Sequence, residues 1–349
     1  MTNSRIERIY LHCLENFLLL EQPKFNQCFS NLKELACDDN ISSGLFHLLA
    51  QTTDRIEILG LEFYNYKSNM GLVDLIKAQK HIKKLSCFTS NDSIPKLIKE
   101  ALLLHANNLV EYTSIGCCDL DYSLSDFKSL KSLNMQRCSL VNDFDDIFDE
   151  NLKLNLLEKI NVSIEGQDCV YTLSKFFQLN GKNLKVIQFD GYLNDPEFLE
   201  EFIGSIAQNC PNLEYLSLIY DSYVIKDLCK VFNTCTKLKG LSVKKIDIQP
   251  TFEDLFGALI TTLPQQIKIL SFRQKWLLLD DVLEMFFKKW TGYTPIHIEL
   301  FNGCEEMIDD DIDNEVKMIE LLTQYKEKGL LNFNFFDSIA KFDIFLESL

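Results

Sequence analysis

The chain has 349 residues, 46% apolar and 25% charged, with 7 Pro, 13 Gly and 12 Cys, a composition that excludes collagen-like, low-complexity and mostly disordered classes. Thirty-five Lys and Arg against 51 Asp and Glu leave a net charge of −16. Duplex nucleic acid and anionic membrane surfaces are thereby excluded as general partners, because binding to phosphates needs clustered cations.

No apolar run approaches the ~20 residues that a membrane helix needs. The N-terminal stretch, interrupted by His12, Glu15 and Asn16, does not read as a secretion signal. A cytoplasmic or nuclear location with reduced thiols is expected. Ile6, Ile9, Tyr10, Leu14, Phe17 and Leu18 have helical spacing, which predicts one helix from Ile6 to Leu20, ended at Gln22-Pro23-Lys24.

From Leu32 onward the pattern apolar-x-x-apolar-x-apolar recurs. It reads Leu32/Leu35/Cys37, Ile56/Leu59/Leu61, Ile82/Leu85/Cys87, Leu109/Tyr112/Ser114, Leu130/Leu133/Met135 and Leu157/Ile160/Val162. It continues as Leu184/Ile187/Phe189, Leu213/Leu216/Leu218, Leu238/Leu241/Val243 and Ile267/Leu270/Phe272, with weaker copies at Pro295/Ile298/Leu300 and Leu330/Phe333/Phe335. The mean step of about 27 residues leaves room for a short strand and a returning helix in each copy. Between strands, Asp195-Pro196 opens a stripe at Phe198, Leu199, Phe202, Ile203 and Ile206 that predicts a helix buried on one face. Phe252, Leu255, Phe256, Leu259 and Ile260 repeat the stripe, as do Val282, Leu283, Phe286 and Phe287. Length alone suggests two domains or more; the period replaces that count with one array.

The run Cys210-Pro-Asn-Leu-Glu-Tyr-Leu-Ser-Leu218, with Asn40, Cys117 and Cys138 at the turn position after their strands, resembles the ribonuclease-inhibitor-like, cysteine-containing repeats of F-box/leucine-rich-repeat proteins. The resemblance covers roughly residues 32–335. It implies a horseshoe-shaped α/β leucine-rich-repeat solenoid with a parallel sheet on the concave face and helices on the convex face. It further implies that the Asn or Cys side chain satisfies backbone groups in the turn, and that the repeats hold substrates for a ubiquitin ligase of SCF type. The other turns depart from the pattern, with Tyr64, Ser90, Glu165, Tyr192, Asp221, Ile246 and Lys275 at that position. The family's F-box opens on a Leu-Pro pair, and none occurs among the 31 residues before Leu32. Residues 1–31 therefore read either as a helical cap on the solenoid or as an F-box remnant that contacts a Skp1-type adaptor. Residues 336–349 read as a C-terminal helical cap.

Chemistry has little foothold. His12, His47, His81, His105 and His297 are scattered singly, and no phosphate-cradling or nucleophile motif is present. No CxxC pair occurs, so the cysteines read as structural. The acidic runs at 143–150 and 305–315 lack the register of a calcium loop and read as exposed loops attractive to a basic partner. The expectation is a non-catalytic module with no cofactor and no metal, which binds a protein ligand; a stand-alone scaffold or inhibitor without a ligase link is the alternative.

The strand's alternate positions point away from the helices. The residue between the last two apolar positions is small or polar in nearly every repeat: Ala36, Gly60, Ser86, Thr113, Asn134, Asn161, Gln188, Ser217, Ser242, Ser271, Glu299 and Asn334. Two residues later the row begins with Asp38 and Glu62 and ends with Lys244, Arg273, Phe301 and Phe336. Tyr215, Ile219, Lys244, Arg273, His297 and Phe301 are predicted to form a solvated partner-binding patch on this face.

Overall fold

The structure is a computed structural model that describes residues 6–12, 25–65, 67–119, 124–139, 152–165, 169–191, 196–220, 222–245, 252–262, 267–273, 280–290, 295–301 and 310–336. Thirteen strands form one sheet whose spatial order follows the chain. They are β1 (Arg8–Leu11), β2 (Glu34–Asp38), β3 (Ile58–Phe63), β4 (Lys84–Ser93), β5 (Glu111–Asp119), β6 (Ser132–Ser139) and β7 (Lys159–Glu165). There follow β8 (Val186–Phe189), β9 (Tyr215–Tyr220), β10 (Gly240–Lys245), β11 (Ile269–Arg273), β12 (Ile296–Phe301) and β13 (Leu331–Phe336). Helices occupy the returns, among them Ser43–Thr52, Met70–Ala78, Lys96–Leu103, Cys169–Asn180, Pro196–Asn209, Ile225–Thr234, Phe252–Thr262, Asp280–Lys289 and Asp310–Glu327. Parallel neighbours need such crossovers, and the α/β repeat solenoid with an all-parallel sheet is the fold that the period predicts. Among the described residues no helix is long and apolar enough to cross a membrane.

The repeat pattern becomes a ladder because the strands pair in register. Leu35, Leu59, Leu85, Tyr112 and Leu133 align across β2 to β6, as do Cys37, Leu61, Cys87, Ser114 and Met135. All ten are buried under the helices. Each large apolar member of these rows contributes on the order of 1.5–3 kcal/mol.

Neighbouring repeats are also tied by polar side chains near the ends of helices. Gln79 accepts from the Ile56 backbone N–H and donates to the Thr53 carbonyl, both at 3.0 Å. Asn180 does the same for Leu154 (2.7 Å) and Leu152 (2.9 Å), and His105 Nε2 meets the Ile76 carbonyl at 2.8 Å. Cys235 Sγ donates to the Cys210 carbonyl at 3.2 Å, so this cysteine belongs to the turn that precedes its strand. Burial pushes the thiols of Cys37, Cys210 and Cys235 up, which keeps them protonated. Gly71 is required by a close approach: a Cβ there would lie 2.1 Å from the Ser43 carbonyl oxygen, while its N–H donates to Ser43 Oγ at 2.9 Å.

Several expectations are corrected. Residues 8–11 are a strand paired in parallel with β2, not part of a helix from Ile6 to Leu20. Ile6, Ile9 and Leu11 are themselves a copy of the repeat pattern, 26 residues ahead of Leu32, and inter-strand pairing overrides the coincident helical spacing. The helix Asp310–Glu327 begins inside the second acidic run, which is therefore not wholly a loop; of the expected helical cap at 336–349, Phe336 instead ends β13, and residues 302–309, the first acidic run at 143–150 and residues 337–349 lie outside the described residues. In the turn after β2 the backbone is served by Asp39 rather than Asn40. The Asp39 carboxylate accepts from the N–H groups of Tyr64 (3.2 Å) and Asn65 (2.9 Å), and Asn40 Oδ1 accepts from the Asn65 side chain at 2.8 Å.

The array divides into two compact units, residues 1–183 and 184–349, each taken below on its own.

Candidate binding surface

On the side of the sheet opposite the helices, three rows of side chains run across the strands. In the second unit Tyr215, Gly240, Ile269 and His297 form the first row, and Ser217, Ser242, Ser271 and Glu299 the second. Ile219, Lys244 and Arg273 form the third, with Asp190 just beyond the end of β8. The predicted patch residues are therefore brought to one face. Phe301 is in register with Phe336; its side chain lies outside the described residues.

Their environment differs from the expectation of a solvated patch. Tyr215 is 7% exposed, Ile219 3% and Arg273 9%. The Tyr215 ring lies over Gly240, where a Cβ would meet its edge at 2.5 Å. Lys244 Nζ lies 2.6 Å from Asp190 Oδ1 and Arg273 Nη2 3.4 Å from Asp190 Oδ2, so both cations are already engaged by one carboxylate. Long side chains in the outer two rows reach across their neighbours instead of into solvent. Sequence reading assigned positions to the correct face but could not show that they pair with each other.

The central row of this unit is buried throughout, and the hydroxyls of Ser217 and Ser242 have no hydrogen-bond partner among the described residues. Burial pushes the Glu299 carboxyl up to about 7, with the nearby Ser271 hydroxyl opposing the shift. The His297 imidazole lies 3.6 Å away, and burial holds it below the ordinary imidazole range.

The first unit presents the same face differently. Its central row is Tyr10, Ala36, Gly60, Ser86, Thr113 and Asn134. Tyr10 and Ser86 are exposed and the other four half-exposed. The third row is Asp38, Glu62, Phe88, Ile115 and Gln136, the acidic start predicted from sequence. His12 follows β1, with Nδ1 3.9 Å from Asp38 Oδ2 and 3.7 Å from Glu62 Oε2.

Two tyrosines border these carboxylates. Tyr10 is 62% exposed and donates from Oη to Glu34 Oε1 at 2.9 Å; Tyr64 is 43% exposed and donates to Glu62 Oε2 at 2.8 Å. That bond to Glu34 raises the Tyr10 phenol. The local potential registers on a neighbour: after burial, the charges of Asp38, Glu62 and Asp39 all push the Cys37 thiol up. Tyr10, His12 and Tyr64 were not anticipated from sequence. Tyr10 was absorbed into the expected helix, and Tyr64 was legible only as an irregular turn residue.

Among the described residues no group of three His, Cys, Asp or Glu is arranged to hold a metal ion. Comparison with known proteins finds no family model that matches the chain and no significant match among curated proteins.

Proposed function

We propose that the chain is a non-catalytic protein-recognition module that binds its protein ligand on the sheet face of the first unit. The observation that carries this reading is the exposure of the central row from Tyr10 to Asn134, small and polar positions backed by a rigid in-register ladder. A repeat array offers such a surface without further folding cost. A photo-crosslinking residue at Ser86 tests it against the same group at exposed Glu100, in the helix Lys96–Leu103. Ligand adducts from Ser86 and none from Glu100 support the reading, and equal adducts contradict it.

The sequence resemblance to F-box/leucine-rich-repeat proteins supports the reading of this module as the substrate receptor of an SCF-type ligase. The alternative, a stand-alone scaffold or inhibitor, is favoured by one observation: residues 8–11 add a strand to the sheet where an adaptor-binding helix was expected. Co-purification of a Skp1-type adaptor with the full chain selects the ligase reading, and its failure to co-purify selects the scaffold.

A further inference from the structure

We propose that Lys128, Lys131, Lys153 and Lys159, where the chain enters β6 and β7, form a docking site for an acidic segment of a partner protein, an extended stretch rich in Asp and Glu. The inference rests on the protein-recognition reading above and adds the chemistry of the partner.

Charge complementarity carries it. Lys128, Lys131 and Lys153 are exposed and Lys159 is half-exposed, and none of their side chains makes a hydrogen bond or ion pair among the described residues. Elsewhere in the first unit the same edge of the sheet is neutralised pair by pair: Lys33 lies 3.4 Å from Glu7, Lys83 2.8 Å from Glu57 and Lys84 2.7 Å from Glu111. Charge alternates along the residues that precede the strands, Glu7, Lys33, Glu57 and Lys83, until Val110 takes the next position. Lys131 therefore has no carboxylate on its β5 side, and Ser132, not an acid, is in register with Lys159. The local carboxylates are Asp126, exposed in the turn before Lys128, and Glu158, which pairs with neither Lys131 nor Lys159. This edge is positive in a chain of net charge −16.

The backbone holds these cations together. The Lys131 carbonyl accepts from the N–H groups of Glu158 (2.8 Å) and Lys159 (2.9 Å), so Lys131 and Lys159 belong to neighbouring strand entries, with strands spaced about 4.8 Å. Lys128 lies in the turn closed by the Leu130 N–H on the Phe127 carbonyl at 3.2 Å, and Lys153 stands between buried Leu152 and Leu154, both held by Asn180. Lys159 also shares the sheet face with Asn161, about 6.7 Å along the strand. Asn161 is in register with Asn134, and both are half-exposed. A segment whose carboxylates meet the lysines brings its backbone to these amides, which donate and accept hydrogen bonds. Peptide groups match both capacities, whereas a phosphate chain offers acceptors alone. Negative charge elsewhere on the chain repels a long polyanion, but charges beyond a Debye length of about 10 Å are screened from a short acidic segment.

The test uses the full chain and a rhodamine-labelled peptide of alternating glutamate and serine, read by anisotropy. Binding is expected, weakened about tenfold by Lys131→Glu or Lys159→Glu and weakened by added salt. Lys96→Glu, exposed at the start of the helix Lys96–Leu103, changes net charge equally and should leave affinity unchanged. The counterpart peptide with lysine for glutamate should not bind. If Lys159→Glu does not fold, Lys159→Gln replaces it, with a several-fold loss expected. No binding of the glutamate peptide, or equal loss from Lys131→Glu and Lys96→Glu, overturns the proposal, and tighter binding of a labelled single-stranded oligonucleotide overturns it in favour of nucleic acid. The Ser86 crosslinking result stands apart from it: adducts from Ser86 without peptide binding refute the partner's chemistry alone, and absence of both refutes the face.

Discussion

The two units are built by one rule and present opposite surfaces. In each, mostly apolar side chains at two fixed strand positions bury beneath the helices, so the helix-side core does not distinguish them. The difference lies in the rows beside the central one. In the second unit Tyr215, Lys244 and Arg273 are long enough to lie across neighbouring strands, and one carboxylate, Asp190, holds both cations. In the first unit the third row carries Asp38, which is buried, and Glu62, Phe88 and Ile115, which are half-exposed, and solvent reaches Ser86 in the central row. Small residues make a sheet face available only when their neighbours do not fold over it.

The sharpest way to break this comparison is to change the second unit's buried carboxyl. Glu299 has a raised carboxyl in the folded chain, so its contribution to stability is fully present below the ordinary Glu value and is lost as pH rises through about 7. A shift of that size corresponds to roughly 3 kcal/mol. Glu299→Gln should therefore be more stable than the parent by up to that amount above pH 7, the difference vanishing near pH 4, as measured by urea unfolding across that range. An equal difference at both ends contradicts the assignment.

The same substitution on the same row should have unequal costs in the two units. Ser242→Leu inserts bulk into a filled site and should destabilise by about 2 kcal/mol, whereas Ser86→Leu should stay within about 0.5 kcal/mol. Equal costs by chemical denaturation would remove the distinction. Asp190→Ala should cost about 2 kcal/mol because it leaves two partly buried cations without their carboxylate, and restoring it as Glu should recover part of that. Gly71→Ala sharpens the first unit. A glycine replaced by alanine within a helix ordinarily stabilises, but the Ser43 carbonyl occupies the space, so a loss of about 1–3 kcal/mol is expected in thermal melts. The smallest effect belongs to the exposed Lys83 and Glu57 pair, 2.8 Å apart; Lys83→Ala should leave the denaturation midpoint unchanged, because solvent screens such a pair.

The period carried the fold because its physical cause is local and repeated: two apolar positions per strand that must face the helices, and one amphipathic return. The first rung escaped notice because Ile6, Ile9 and Leu11 overlap a helical spacing that includes Tyr10, and only pairing with β2 decides between them. The rows across the sheet were also legible, including the acidic start at Asp38 and Glu62. Burial on those rows was not legible, because it depends on which long side chains meet across strands far apart in sequence. Lys244 and Asp190 are 54 residues apart and Arg273 and Asp190 are 83 apart. No period encodes such partners, and so Arg273 and Tyr215 read as exposed anchors when they are parts of a closed face.

That contrast is open to direct measurement. Ser86→Cys and Ser242→Cys variants can be pulsed with a maleimide under native conditions and the modified peptides quantified by mass spectrometry. A buried thiol reacts only through local opening, so labelling at position 242 should be slower than at position 86 by about a hundredfold or more. Equal rates at the two positions would contradict an open first unit and a closed second one, and with it the assignment of the binding face.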